Sequence, residues 1–168
     1  MCESKSSAQN DFVLPDLAAM QAWARRLGPL LKVGDVVALH GALGAGKTSF
    51  ARALLQGLGV RDEVPSPTFS LVQPYEIGDL MFWHFDLYRL NAPGEAYELG
   101  IEEAFAEGVS LIEWPENLGP LLPEARLDIF LGLPPDAGYD DTRRTVRIEA
   151  RGEWATRPGV ILSEAKDH

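Results

Sequence analysis

Residues 41 to 48 read Gly41-Ala42-Leu43-Gly44-Ala45-Gly46-Lys47-Thr48. Glycine opens the run and precedes a lysine and a hydroxyl residue, which fills every required position of the pattern G-x-x-x-x-G-K-[ST]. Glycines let backbone N–H groups close around phosphate oxygens where a Cβ would clash or forbid a positive φ. Lys47 is placed to put a point charge on β- and γ-phosphates, and the Thr48 hydroxyl to reach Mg²⁺. The pattern requires a strand before it and a helix after it, because the helix N-terminus adds partial positive charge to the anion site. Both flanks comply. Val36-Val37-Ala38-Leu39 is a short apolar run of the kind a buried parallel strand shows. Phe50, Ala51, Leu54, Leu55 and Leu58 fall on one helical face, and Gly57 and Gly59 sit where that helix should stop.

Around this unit the chain reads as one mixed α/β domain over residues 11–151. Residues 1–10 are polar and read as a disordered lead-in, and residues 152–168 as a tail. Asp16 is placed to cap a first helix with Leu17, Met20, Trp23, Ala24, Leu27 and Leu30 on one side. The prolines of Val64-Pro65-Ser66-Pro67-Thr68 stiffen a loop after the glycine-loop helix. Phe69 to Tyr75 and Leu80 to Leu87 read as a hairpin about Ile77-Gly78-Asp79. Gly94 to Phe105 reads as helix with a break near Gly100, followed by a short strand from Val109 to Ile112. Leu127 to Leu133 and Thr145 to Ala150 complete the strands, the latter alternating Val146, Ile148 and Ala150 against Arg147, Glu149 and Arg151. Parallel and hairpin strands together imply a mixed sheet carrying helices.

Composition narrows the function. The 168 residues carry a formal net charge of −10, unfavourable for independent nucleic-acid binding, which needs clustered cations to displace counterions. A local basic face stays open in the stretch Thr142 to Arg151, which supplies Arg143, Arg144, Arg147 and Arg151; a solvated strand face is the plainer reading of that cluster. No apolar run reaches bilayer length, the N-terminus lacks the apolar region of a secretory signal, and Cys2 is the only cysteine. These features suit a cytoplasmic protein with no membrane contact.

A phosphate loop working with Mg²⁺ needs an acidic partner, because Mg²⁺ prefers carboxylate and water oxygens. Glu113 ends the apolar run Val109-Ser110-Leu111-Ile112, at the carboxyl end of a strand where open α/β sheets bind ligands. Asp86 lies on the same strand face as Phe82 and His84, a costly place for an acid without a partner; an ion pair with Arg89 is the structural alternative. Thr68 sits in the loop after the helix, where a hydroxyl can reach a γ-phosphate. Trp114 follows Glu113 and suits a nucleotide contact, a partner contact or the core.

In order and spacing, the glycine loop, Ser66-Pro67-Thr68-Phe69, His84-Phe85-Asp86-Leu87-Tyr88-Arg89-Leu90 and Glu113-Trp114-Pro115 resemble the bacterial TsaE (YjeE) family from about Leu14 to Ala150. The resemblance implies a P-loop NTPase-like three-layer sandwich with a mixed, partly parallel sheet. It implies an ATP- and Mg²⁺-binding ATPase required for the threonylcarbamoyladenosine modification of tRNA. Such a protein acts on a TsaB–TsaD complex, does not transfer the group itself, turns over slowly alone, and meets tRNA only indirectly or locally. By the same resemblance Gly41, Ala42, Leu43, Gly44, Ala45, Gly46, Lys47, Thr48 and Ser49 hold the triphosphate, and Thr48 and Glu113 hold the metal. Asp86, Lys47 and Thr68 serve hydrolysis, with Leu17, Glu116 and Arg144 as further nucleotide contacts. Ala42 and Ser49 stand where many relatives carry Asp and Thr, and neither change removes a ligand. Two other readings stay in view. A small-molecule kinase would bring lid arginines to the phosphates, but residues 91–108 hold five glutamates and no arginine. A nucleotide-gated assembly protein would bind with negligible turnover. A GTPase is disfavoured, since the chain has neither Asn-Lys-x-Asp nor Asp-x-x-Gly.

Overall fold

The computed structural model describes residues 7–61, 64, 65, 67 and 70–157. Seven strands, β1 (Ser7–Leu14), β2 (Val36–His40), β3 (Val72–Ile77), β4 (Leu80–Asp86), β5 (Val109–Glu113), β6 (Leu127–Gly132) and β7 (Arg144–Arg151), form one sheet in the order β1-β7-β6-β2-β5-β4-β3. The central four, β6-β2-β5-β4, are parallel; antiparallel β3 closes one side, and antiparallel β7, with β1 paired antiparallel to it in turn, closes the other. Among the described residues, three α-helices, α1 (Leu17–Leu27), α2 (Lys47–Gly57) and α3 (Ile101–Glu107), cover the faces together with 3₁₀ turns.

The strand period of two sorts side chains into two cores. Val37 and Leu39 of β2, with Leu111, Ile129 and Ile148, face α1 and α2, where Trp23, Phe50 and Leu54 are buried. The alternate residues Val36, Phe85 and Ile112 face α3 and the 3₁₀ segments Pro93–Leu99 and Pro115–Leu121. Helices on both faces of a largely parallel sheet make the three-layer sandwich expected of the chain. β2 and β5 are buried at nearly every position, which is why they read as unbroken apolar runs.

Local signals hold. Asp16 caps α1 by accepting a hydrogen bond from the Ala19 amide at 2.9 Å. Gly100, at φ 82°, divides the helical stretch into a 3₁₀ segment and α3. Among the described residues the first hairpin strand starts at Val72; Phe69, where the sequence pattern begins it, lies outside them. Leu71 adopts φ 68°, outside the extended region, so the ladder cannot continue regularly through it.

Two boundary expectations need correction. The segment taken as a lead-in contributes residues 7–10 to β1, an edge strand paired along its whole length with β7. The polar run Ser7-Ala8-Gln9-Asn10 gave no strand pattern, and pairing with β7 overrides its weak propensity. At the other end, the 3₁₀ turn Gly152–Thr156 buries Trp154 in the α1/α2-side core. Arg157 stacks on that indole at 3.8 Å and pairs with Asp35 through two contacts of 2.7 and 2.9 Å. The packed domain therefore reaches residue 157.

Candidate functional site

The carboxyl ends of β2, β5 and β4 lie side by side, with Leu39, Glu113 and Asp86 in register. Each strand therefore delivers its last residues to the same edge of the sheet. The end of β2 is anchored. His40 Nε2 meets Asp128 Oδ1 at 2.8 Å, and the His40 ring stacks on Phe130 with centroids 4.2 Å apart. Asp128 is fully buried, and Arg126 and Arg151 also donate to it. Burial alone would raise its pKa; the hydrogen bonds from His40, Arg151 and Arg126 outweigh burial and hold it at about 2.

From His40 the chain enters the glycine loop. Gly41 takes φ 150°, and a Cβ there would lie 2.5 Å from the Leu131 carbonyl oxygen. Gly46 takes φ 110°, and its Cβ would press on the Met20 methyl at 3.0 Å. Only glycine fits either position, so the loop's shape is written into its residue types. α2 begins at Lys47 with Gly46 as N-cap and no capping side chain, which leaves its first amides directed at the loop.

Lys47 is only 4% exposed. Its Nζ donates to the Gly41 carbonyl and, at 3.1 Å, to the Ala42 carbonyl, and lies 3.9 Å from the centre of the Trp114 ring. Burial lowers its pKa, opposed by the charges of Glu113, Glu116 and Asp86. The Thr48 hydroxyl stands 2.9 Å from both carboxylate oxygens of Glu113. His84, wholly buried on β4, reaches Glu113 Oε2 through Nε2 at 2.7 Å. Asp86 is 6% exposed and accepts a hydrogen bond from the Tyr88 amide.

These groups line a cleft of about 490 Å³ whose wall includes Leu43, Gly44, Gly46, Lys47, Thr48, Ser49, Asp86, Glu113 and Arg144. A second cavity of about 240 Å³, lined in part by Leu17, Met20 and Thr142, shares Gly46, Ser49 and Arg144 with it. Most of the residues singled out in the sequence thus converge. Gly41 and Ala42 act through their carbonyls on Lys47, and the Ala45 carbonyl accepts from Arg144 Nε at 3.1 Å. Glu116 is exposed and lies outside both cavity walls, with its charge felt at Lys47. Thr68 lies outside the described residues.

Three residues of the site, His84, Tyr88 and Arg89, carried no role in the site from the sequence. His84 stood in a motif but read only as a neighbour of Asp86 on one strand face. Tyr88 and Arg89, present in the same motif but given no contact in the site, line the cleft because the chain turns after β4. Trp114, for which a ligand contact, a partner contact and the core were all open, lines the cleft and also sits half-buried against the α3-side core; it packs on Tyr88 at 4.9 Å and takes a left-handed backbone at φ 59°.

The family model for the threonylcarbamoyl adenosine biosynthesis protein TsaE matches residues 14–138. The chain is 43% identical over 117 residues to the tRNA threonylcarbamoyladenosine biosynthesis protein TsaE of Synechocystis sp., covering 67% of this chain and 74% of that one. With the Haemophilus influenzae protein of the same name it shares 40% over 136 residues, 77% and 83% of the two chains. The crystal structure of Bacillus subtilis YdiB superposes with a TM-score of 0.74 at 32% identity, covering 91% of this chain and 93% of that one. With the loop, the acidic strand end and the mixed sheet all in place, this chain belongs to the TsaE family of threonylcarbamoyladenosine biosynthesis proteins.

Proposed function

We propose that this protein binds ATP with Mg²⁺ and hydrolyses it to ADP and phosphate in support of the tRNA threonylcarbamoyladenosine modification. On this reading it acts on a TsaB–TsaD complex and does not transfer the threonylcarbamoyl group. The relatives' names support the pathway. The observation that carries the chemistry is the Thr48 hydroxyl 2.9 Å from both Glu113 oxygens, beside a buried Lys47 at the start of α2.

The residues fit the ligands. Mg²⁺ is held in such sites by one or two protein oxygens plus phosphates and water, and a hydroxyl against a carboxylate is that donor set. The loop's glycine-only geometry at Gly41 and Gly46 keeps side chains away from the amides that would cradle a triphosphate. When bound, the metal would neutralise charge on the phosphate oxygens. Lys47 would leave its carbonyl partners for the β- and γ-phosphates. Asp86, on the Glu113 side of the cleft, would accept a hydrogen bond from a water and orient it on the γ-phosphorus. The water oxygen then bonds phosphorus as the bond to the bridging oxygen breaks, and ADP takes the electron pair. The second cavity beside Arg144 and Leu17 has the position and apolar wall to seat the nucleoside.

One feature favours coupling to partners. The mouth of the cleft exposes Leu43 at 74% and Tyr88 at 52%, apolar surface that a docked protein would cover. The test is steady-state phosphate release from ATP with Mg²⁺, with and without TsaB and TsaD. Partner-stimulated release supports the proposal. Absence of release in every combination refutes it, and ATP-dependent complex formation that survives Glu113→Ala would favour a binding switch.

A further inference from the structure

His84 is the most completely buried polar side chain beside the cleft, and no step above uses it. It sits on β4 two residues before Asp86, on the face turned toward α2. In the β4–β5 register it opposes Leu111, so its ring reaches diagonally to Glu113. That contact is 2.7 Å long and excluded from solvent on both sides. The other ring nitrogen, Nδ1, has no hydrogen-bond partner among the described residues.

A carboxylate oxygen is an acceptor and a ring N–H a donor, and the 2.7 Å contact has the length of such a bond. The geometry is that of Nε2–H donating to Oε2, with Nδ1 left unpartnered among the described residues. A histidine serving the core alone would be better replaced by an apolar residue, since its unpartnered buried nitrogen is costly. The cost is offset by what the bond does to Glu113. His84 holds the carboxylate through Oε2, Oε1 takes no hydrogen bond from His84, and the Thr48 hydroxyl stands 2.9 Å from both oxygens.

We propose that His84 is a positioning residue for the metal-binding arm, fixing Glu113 through Nε2–H so that the carboxylate meets Mg²⁺ without reorienting. The proposal rests on the Mg²⁺–nucleotide reading above. Hydrogen-bonded partners of metal-ligating groups typically carry about 10–100-fold of metal affinity.

The test compares His84→Gln with His84→Met, near-isosteres that differ in whether a donor reaches Glu113. The affinity of a non-hydrolysable ATP analogue is measured by calorimetry across a Mg²⁺ titration, and again with a chelator. His84→Met is expected to raise the Mg²⁺ concentration at half effect by about 10–100-fold, with metal-free nucleotide affinity unchanged. His84→Gln should recover most of that loss. A Met variant matching wild type, or one losing affinity equally without metal, overturns the proposal. A wild-type protein whose nucleotide affinity ignores Mg²⁺ overturns the metal reading itself, which separates the two failures. Should the Met variant not fold, imidazole ¹⁵N shifts of the wild-type protein decide: an Nε2–H tautomer supports the proposal, and an Nδ1–H tautomer overturns it.

Discussion

Asp128 ties the strand that feeds the glycine loop to the far side of the sheet, and its removal has a calculable signature. Its carboxyl is held at about 2 against an ordinary value of 3.8 by hydrogen bonds from His40, Arg151 and Arg126 that outweigh burial. A depressed pKa contributes stability that is present above the unfolded value and lost as pH falls through the folded one. The difference corresponds to about 2 kcal/mol at about pH 5.5, of which about two-thirds is gone by about pH 2.5. Asp128→Asn keeps the shape and removes the charge. Urea unfolding of both proteins at several pH values isolates this group, because other carboxyls titrate alike in each. The stability gap between wild type and variant should be about 2 kcal/mol near pH 5.5 and should shrink steadily toward pH 2.5. A gap of constant size across that window would show that the ion cluster does not depress this carboxyl, and the reasoning would fail.

Asp86→Ala should keep nucleotide affinity and lose about 10²–10⁴-fold in phosphate release; single-turnover release beside calorimetry separates the two, and unchanged turnover removes Asp86 from the site. Lys47→Ala should abolish tight nucleotide binding with the fold intact by circular dichroism, since Lys47 is the buried cation at the loop. Gly41→Ala forces a Cβ to 2.5 Å from the Leu131 carbonyl at φ 150°, so a stability loss of about 1–3 kcal/mol in urea is expected together with weakened nucleotide binding. Trp154→Ala should cost about 3–5 kcal/mol, although Trp154 lies beyond the residues matched to the family; a neutral result would show that the chain after β7 is not part of the core.

The glycine loop was legible because its geometry depends on residue type alone. Glycine at 41 and 46, a lysine and a hydroxyl are needed wherever a backbone wraps phosphate, and the flanking strand and helix announce themselves by period. Glu113 was legible for a similar reason, as an acid ending a strand buried at every position. β1 was not legible. Its polar first half has no pattern of its own and becomes a strand only because β7 offers an open edge along its whole length. Trp154 and Arg157 were missed on the same ground, since Trp154 is buried in a core assembled from the whole sheet and Arg157 pairs with Asp35, 122 residues away.

The site divides the same way. Sequence by itself determined the loop, the acids that end two strands, and the family. It could not determine that His84, Thr48 and Glu113 form one hydrogen-bonded unit, or that Trp114 lies over Lys47. Those contacts join residues 65, 29 and 67 positions apart. Only the parallel pairing of β2, β5 and β4 sets them a few ångströms from one another, because strand register, not chain proximity, decides which side chains share an edge.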